Sequence, residues 1–148
     1  MRHSRYLIVA VLAVSGAVIL AQSSMPPALY MSAEDIARGI EQTSGDRPGM
    51  AVGRFVNNDD YRINMIHRTE AAGAIIHEVG TELHYIVDGG GTLVTGGTIV
   101  RPADGGRPTV EGGTAQEVSV GDAVLIPEGT PHWYSAVNGS VTYLEVRF

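Results

Sequence analysis

The sequence contains no cysteine and no lysine. Without thiols it can form no disulfide, thiolate nucleophile or zinc finger. Any metal must be bound through His, Asp or Glu, and the fold must hold by packing alone. Without a lysine amine, Schiff-base chemistry is excluded. Every basic side chain is an arginine, ten against sixteen Asp plus Glu in 148 residues. No basic cluster is dense enough to neutralise a row of phosphates, so nucleic acid is not an expected partner. Histidine is scarce too: five in all, of which His67, His77, His84 and His132 lie beyond the N-terminal segment.

That segment has the tripartite order of a secretory signal peptide. Arg2 and Arg5 precede an uncharged run from residue 6 to 21, and Ala21-Gln22-Ser23 puts small residues at the −3 and −1 positions of a cleavage site. The run falls short of the roughly 20 apolar residues that span a bilayer, which favours a cleaved signal over a retained anchor. The expectation is an exported protein, periplasmic or secreted, with no stable membrane insertion after cleavage. Residues 1–23 are then the signal peptide, 24–48 a lead-in with a short helix, and 49–148 a single β domain.

Ser32-Ala-Glu-Asp35 reads as a capping box, with Ile36 and Ile40 on one face of a helix that ends before Gly45. From residue 49 the pattern changes to short β-type runs: 50–56, 61–67, 74–77, 82–87, 92–95, 115–118, 123–126, 132–137 and 141–148. Glycine-rich turns separate them, and residues 101–114 read as a long hairpin or rim loop. This punctuation predicts an all-β barrel or sandwich.

The chemistry concentrates in three runs. Alternation puts Glu82, His84 and Ile86 on one face of their strand. A four-residue connection from His77 predicts that His77 and Glu82 converge from adjacent antiparallel strands. His132 opens a further strand that can complete the set. Two imidazoles and a carboxylate form the facial arrangement that holds Fe(II), Mn(II) or Zn(II) with positions left open. Because i and i+2 on a strand lie roughly 6.5–7 Å apart, His84 is either a further ligand, a pocket acid/base, or a polar residue satisfied without a role. Tyr134 shares the His132 face and is a candidate proton carrier. Tyr85, Tyr143 and Trp133 read as structural aromatics, and Ile86, Leu93 and Ile126 as an apolar pocket wall. In 61–67, His67 shares an apolar face and reads as a core or rim histidine. Arg62, Asn64, Ile66 and Arg68 line the other face; if it turns inward, an arginine there can clamp a carboxylate or phosphate. Arg101 and Arg107 are alternative clamps or solvated charges.

The segments Ile75-Ile-His77-Glu-Val-Gly-Thr-Glu82-Leu-His-Tyr-Ile-Val-Asp-Gly89 and Gly121, Pro127, Gly129, His132 together resemble the two motifs of the cupin superfamily. The second matches that family's spacing except that Ala136 stands in place of Asn. The first is degenerate, with Ile75 where a histidine is usual. The resemblance covers roughly residues 60–147. It implies a double-stranded β-helix (jelly-roll) barrel, here with a short N-terminal helix. It also implies one divalent transition metal, Fe, Mn or Zn, at His77, Glu82 and His132; with Ile75 in the histidine's place, the site has one more open position, takes the missing nitrogen from His84, or no longer binds metal tightly.

Such a site admits two reaction types on a small organic molecule. The metal can polarise a carbonyl for isomerisation or β-elimination, with His84 or Tyr134 carrying the proton, or it can activate dioxygen. The alternative is a non-catalytic periplasmic barrel that binds a small molecule or sugar. A third reading is a structural homodimer joined through an edge strand at 141–148.

Overall fold

The computed structural model describes residues 25–148, so the expected signal peptide lies outside the described residues. Helix α1 (Ala33–Thr43) starts where the capping box places it: the Ser32 side chain accepts from the Asp35 N–H at 3.1 Å. Eight strands follow: β1 (Met50–Asn57), β2 (Arg62–Arg68), β3 (Glu82–Thr95), β4 (Thr98–Val100), β5 (Thr109–Glu111), β6 (Thr114–Ser119), β7 (Ala123–Ile126) and β8 (His132–Arg147). Among the described residues no helix is long and apolar enough to cross a membrane.

The six-stranded sheet runs β1-β2-β8-β3-β6, with β7 also on β3; β4 and β5 form a separate hairpin across the expected rim loop. The expected closed jelly-roll barrel is not formed. The strand path begins at β1 and ends at β6, and no ladder among the described residues returns from β6 or β7 to β1. The reason is visible at the β1 edge. Thr43 Oγ1 accepts from the Val52 N–H at 2.7 Å, and its one proton is within reach of the Val52 and Gly39 carbonyls, each at 3.1 Å. A helix-borne hydroxyl thus occupies the edge groups of Val52, at the place where α1 covers β1, one of the ways an edge is kept from further pairing. Close approach of α1 needs small residues: a Cβ on Gly53 would stand 3.0 Å from the Ile36 carbonyl oxygen, and one on Gly39 would stand 3.1 Å from the Gly53 Cα.

Two pairs of expected strands are single long ones. The runs 82–87 and 92–95 are both β3, and 132–137 and 141–148 both belong to β8. These two strands pair along their length, from Glu82↔Arg147 to Thr95↔His132. Straight, such a ladder would separate Glu82 from His132 by about 43 Å at strand rise. The two side chains meet at 3.1 Å, so the ladder is doubled over. Its register shifts between Ile86 and Asp88, Gly89 and Gly91, and Thr92 and Leu93 mark the bends. A Cβ on Gly89, whose φ is +67°, would stand 2.0 Å from the Ser140 carbonyl oxygen, so only glycine serves there. Ile66, Ile86, Leu93, Val118, Ile126, Tyr134, Val141 and Tyr143 fill the space inside the bend as the main core. Ile86, Leu93 and Ile126 are therefore packed core, not the pocket wall expected of them.

The segment 74–77 is not a strand. Only Ile75 bridges, its N–H and carbonyl bonding to those of His132 at 3.0 and 2.9 Å. The edge-paired dimer expected through 141–148 is also overturned as drawn: that half of β8 lies between β2 and β3, with both its edges filled.

Candidate metal centre

Four elements deliver the site. The first half of β3 presents Glu82 and His84 on one face, as alternation requires. The start of β8 presents His132, and the doubled ladder carries it back over Glu82. His77 arrives on a loop, held because its carbonyl accepts from the Gly129 N–H at 2.8 Å. Gly129 has φ +70°, so the Pro127–Gly129 turn sets both His132 and His77. The end of β8 brings Arg147, in register with Glu82.

Glu82, His84 and His132 are almost wholly buried, at 1%, 2% and 4% exposure, and His77 is half-buried. His77 Nε2 lies 3.1 Å from Glu82 Oε1, and His132 Nε2 lies 3.1 Å from Glu82 Oε2. His84 Nε2 stands 3.5 Å from Glu82 Oε2. A buried His/Glu/His site able to chelate a divalent transition metal is present at His77, Glu82 and His132. Atoms bound to one such ion at about 2.1 Å are spaced at about 3.0–3.4 Å; the two imidazole–carboxylate distances fall in that range, each to a different oxygen of Glu82, and one donor atom from each of the three residues lies within 4.8 Å of the others.

Tautomers strengthen the fit. His132 Nδ1 lies 3.0 Å from the Thr130 carbonyl, which can only accept, so Nδ1 carries the proton. The neutral ring then turns an Nε2 lone pair toward the Glu82 carboxylate. Glu82 Oε2, His84 Nε2 and His132 Nε2 are buried without hydrogen-bond partners. With its proton on Nδ1, His132 turns a lone pair toward the carboxylate in a dry interior, and His84 does the same in the tautomer protonated at Nδ1, an arrangement that a divalent cation would satisfy. Burial pushes the Glu82 carboxyl up, but hydrogen bonds and positive charge from imidazoles protonated toward it, His132 first, then His84 and His77, hold it far below the ordinary carboxylate range, a role that a bound cation would take over where the rings are neutral. Glu82 is thus ionised. Burial is also the main force lowering His77, and Arg147 and His132 add to it against the pull of Glu82.

Arg147 is the residue that sequence reading missed. Its Nε donates to Glu82 Oε1 at 2.7 Å, its Nη2 contacts the same oxygen, and Nη2 donates to His77 Nε2 at 2.8 Å. The guanidinium therefore sits on two of the donor atoms that a metal would use. Glu145 was missed as well; it forms a second cluster with Glu82 and His84, and Asn64 Nδ2 donates to its Oε1 at 2.9 Å. Both lie on the face of β8 that meets β3, but their partners are more than sixty residues away in sequence.

Tyr134 is buried beside the site, its hydroxyl 3.4 Å from His84 Nδ1. Burial raises its pKa, so it keeps its proton. Tyr143, read as structural, packs on His84 with ring centroids 4.4 Å apart and accepts from Arg68 Nε at 3.0 Å. His67 stays outside the cluster, as expected, with Nδ1 2.9 Å from Thr142 Oγ1. Arg107 is tied to the Ala71 carbonyl and to Glu70, so it is not the clamp; Arg101 is exposed. The inward face of β2 is instead the one carrying Arg62, Asn64, Ile66 and Arg68. Together with His77 and Arg147 it borders a cavity of about 650 Å³.

No family model matches this sequence, and no curated protein matches it. Solved structures do. Hydroxypropylphosphonic acid epoxidase from S. wedmorenis superimposes with a TM-score of 0.55 at 13% identity, covering 70% of this chain and 52% of that one. A domain of Drosophila melanogaster CENP-C gives 0.53 at 12%, covering 69% of each chain. A predicted oxalate decarboxylase from Thermotoga maritima gives 0.51 at 16%, covering 67% and 79%. At these identities the likeness establishes a cupin-like fold and nothing about activity.

Proposed function

We propose that the protein is an exported metal-dependent enzyme of cupin type, with His77, Glu82 and His132 holding one Fe, Mn or Zn ion beside a cavity for a small organic molecule. The carrying observation is the convergence of buried, unpartnered Glu82 Oε2, His84 Nε2 and His132 Nε2. The order of charge and apolarity in residues 2–23 supports export.

A bound divalent ion would supply Lewis acidity toward a substrate oxygen, or a place for dioxygen. The protein's own groups do the rest. Glu82 stays ionised and offers its charge to the site. His84 takes one of two roles, decided by its tautomer. With the proton on Nδ1, directed at the Tyr134 oxygen, Nε2 is free to be a ligand. With Tyr134 donating to Nδ1, the proton sits on Nε2 and His84 is a proton carrier for isomerisation or elimination. Tyr134, kept protonated, fixes the ring in either case. Arg147 must leave His77 Nε2 before that nitrogen can serve a metal.

This contact supports a second reading, a metal-free binding domain in which the guanidinium is the permanent counter-charge of Glu82. Elemental analysis separates the two. The purified protein, without a histidine tag, is expected to carry about one transition-metal ion per chain, lost in His132→Ala. Loss of metal in His84→Ala would assign His84 as a ligand, and retention would exclude that role. Absence of metal after reconstitution would sink the metal reading and leave a metal-free binding or structural domain.

A further inference from the structure

The cavity beside the candidate metal centre carries an excess of positive charge. Five arginines line it, Arg47, Arg54, Arg62, Arg68 and Arg147, against two carboxylates, Asp46 and Glu145, in a chain whose formal charge is −6. Among the described residues, Arg147 pairs with Glu82 and lies 3.9 Å from Glu145, but Arg54, Arg62 and Arg68 form no ion pair. Like charges gathered around one space repel one another, and in a chain of net negative charge this local excess of cations marks a place where an anion would be received.

The local backbone is shaped for this. On a regular strand Arg54 and Asn57, three apart, would face opposite ways. The register shift between Arg54 and Val56 is a bulge that returns Asn57 to the cavity side, and both residues line it. There Asn57 Oδ1 accepts from Arg62 Nε at 2.7 Å. A neutral acceptor thus orients the Arg62 fork without neutralising it and leaves the Nη nitrogens for a ligand. Arg54 borders the same space through Asn64, its partner across the ladder.

The position relative to the centre is fixed by register. Arg62 pairs with Arg147, and Arg147 pairs with Glu82, in one row across β2, β8 and β3. Two strand spacings, about 10 Å, separate Arg62 from Glu82. The cavity volume suits a small molecule spanning that distance.

We infer that Arg54 and Arg62 form an anion clamp, so that the ligand of this cavity is a small organic molecule bearing a carboxylate or phosphate held there while its other end lies at the His77–Glu82–His132 centre. A neutral sugar leaves the clamp unpaired. The placement of the other end rests on the proposed metal reading; the clamp stands on its own geometry.

Calorimetric titration of inorganic phosphate and of succinate into metal-loaded and metal-free protein tests this. The variants are Arg54→Gln/Arg62→Gln, Arg62→Lys, and Arg38→Gln as a control, because Arg38 pairs with Glu34 and Asp35 on the exposed side of α1. Saturable binding of at least one anion is expected, weakened about tenfold or more in the double variant as charge-assisted hydrogen bonds are lost. Arg62→Lys keeps the charge but not the fork and should fall between; Arg38→Gln should match wild type. The tighter anion identifies the ligand's charged group. The clamp is overturned if neither anion binds wild type saturably, or if the double variant, folded by its circular dichroism, binds as well as wild type. Metal retained without anion binding sinks the clamp alone; anion binding without metal sinks only the metal reading.

Discussion

Arg62 and Arg147 occupy paired positions on neighbouring strands, on one face of one sheet, yet their circumstances are opposite. Arg147 is mostly buried and donates to an ionised, nearly inaccessible carboxylate and an imidazole. Arg62 is exposed to the cavity and held by a neutral amide. One end of the face is thus closed on itself, with its charges balanced internally; the other is open, with its charge unspent. The contrast shows that residue type and facing do not define a role. The partner within reach does, and here that is decided by which neighbouring strand supplies a carboxylate.

The sharpest way to break the contrast is to make the closed end resemble the open one. Glu82→Gln leaves Arg147 largely buried without its counter-charge, and should cost on the order of 3 kcal/mol by chemical denaturation, with metal binding lost. The same change at an exposed pair would be near neutral. The converse, Arg147→Gln, should destabilise the metal-free protein less, because imidazoles still surround Glu82. By freeing Glu82 Oε1 and His77 Nε2 it should tighten zinc by about tenfold or more in competition with a chelating dye. Weaker zinc binding in that variant would mean Arg147 supports the site instead of competing for it.

The smallest effect concerns the floor between the two ends. Burial pushes the Tyr143 hydroxyl up to about 12, against the opposing pull of Arg68. Because the fold favours its neutral form, the stability it contributes is complete below the usual phenol value of 10.0 and is lost as pH rises through about 12. Ultraviolet phenolate absorbance of wild type minus Tyr143→Phe should show a step near that value. A step near 10.0 would place water at the floor of the site.

Much of the closed end was legible in sequence, because alternation is local. It placed Glu82 and His84 together, kept His67 apart, and grouped Arg62 with Asn64 and Arg68 on the face that proved to line the cavity. The capping box at Ser32 was equally legible. What escaped was long-range. Nothing near residue 147 announces that its guanidinium will reach Glu82, since only the β3–β8 register brings them together. His77 was assigned to a strand because Ala74-Ile-Ile-His77 has β composition; in the fold one bridge at Ile75 and the Gly129 contact hold it instead. Barrel closure failed as an expectation for a similar reason, as the hydroxyl that occupies the β1 edge at Val52 comes from a helix.

The doubled ladder also has a consequence in time. Glu82 and His132 are fifty residues apart and lie at opposite ends of a hairpin-like ladder, so neither local strand formation nor the first β3–β8 pairings bring them together. They meet once the glycine corners have bent and β7 has set Ile126 opposite Glu82, non-local events of the kind that slow β folding. A chain caught earlier has its secondary structure but no centre. If the protein takes up an ion as proposed, its acquisition would serve as a clock for completed maturation, and a chain that stalls at the corners would be recognisable by its failure to take up metal.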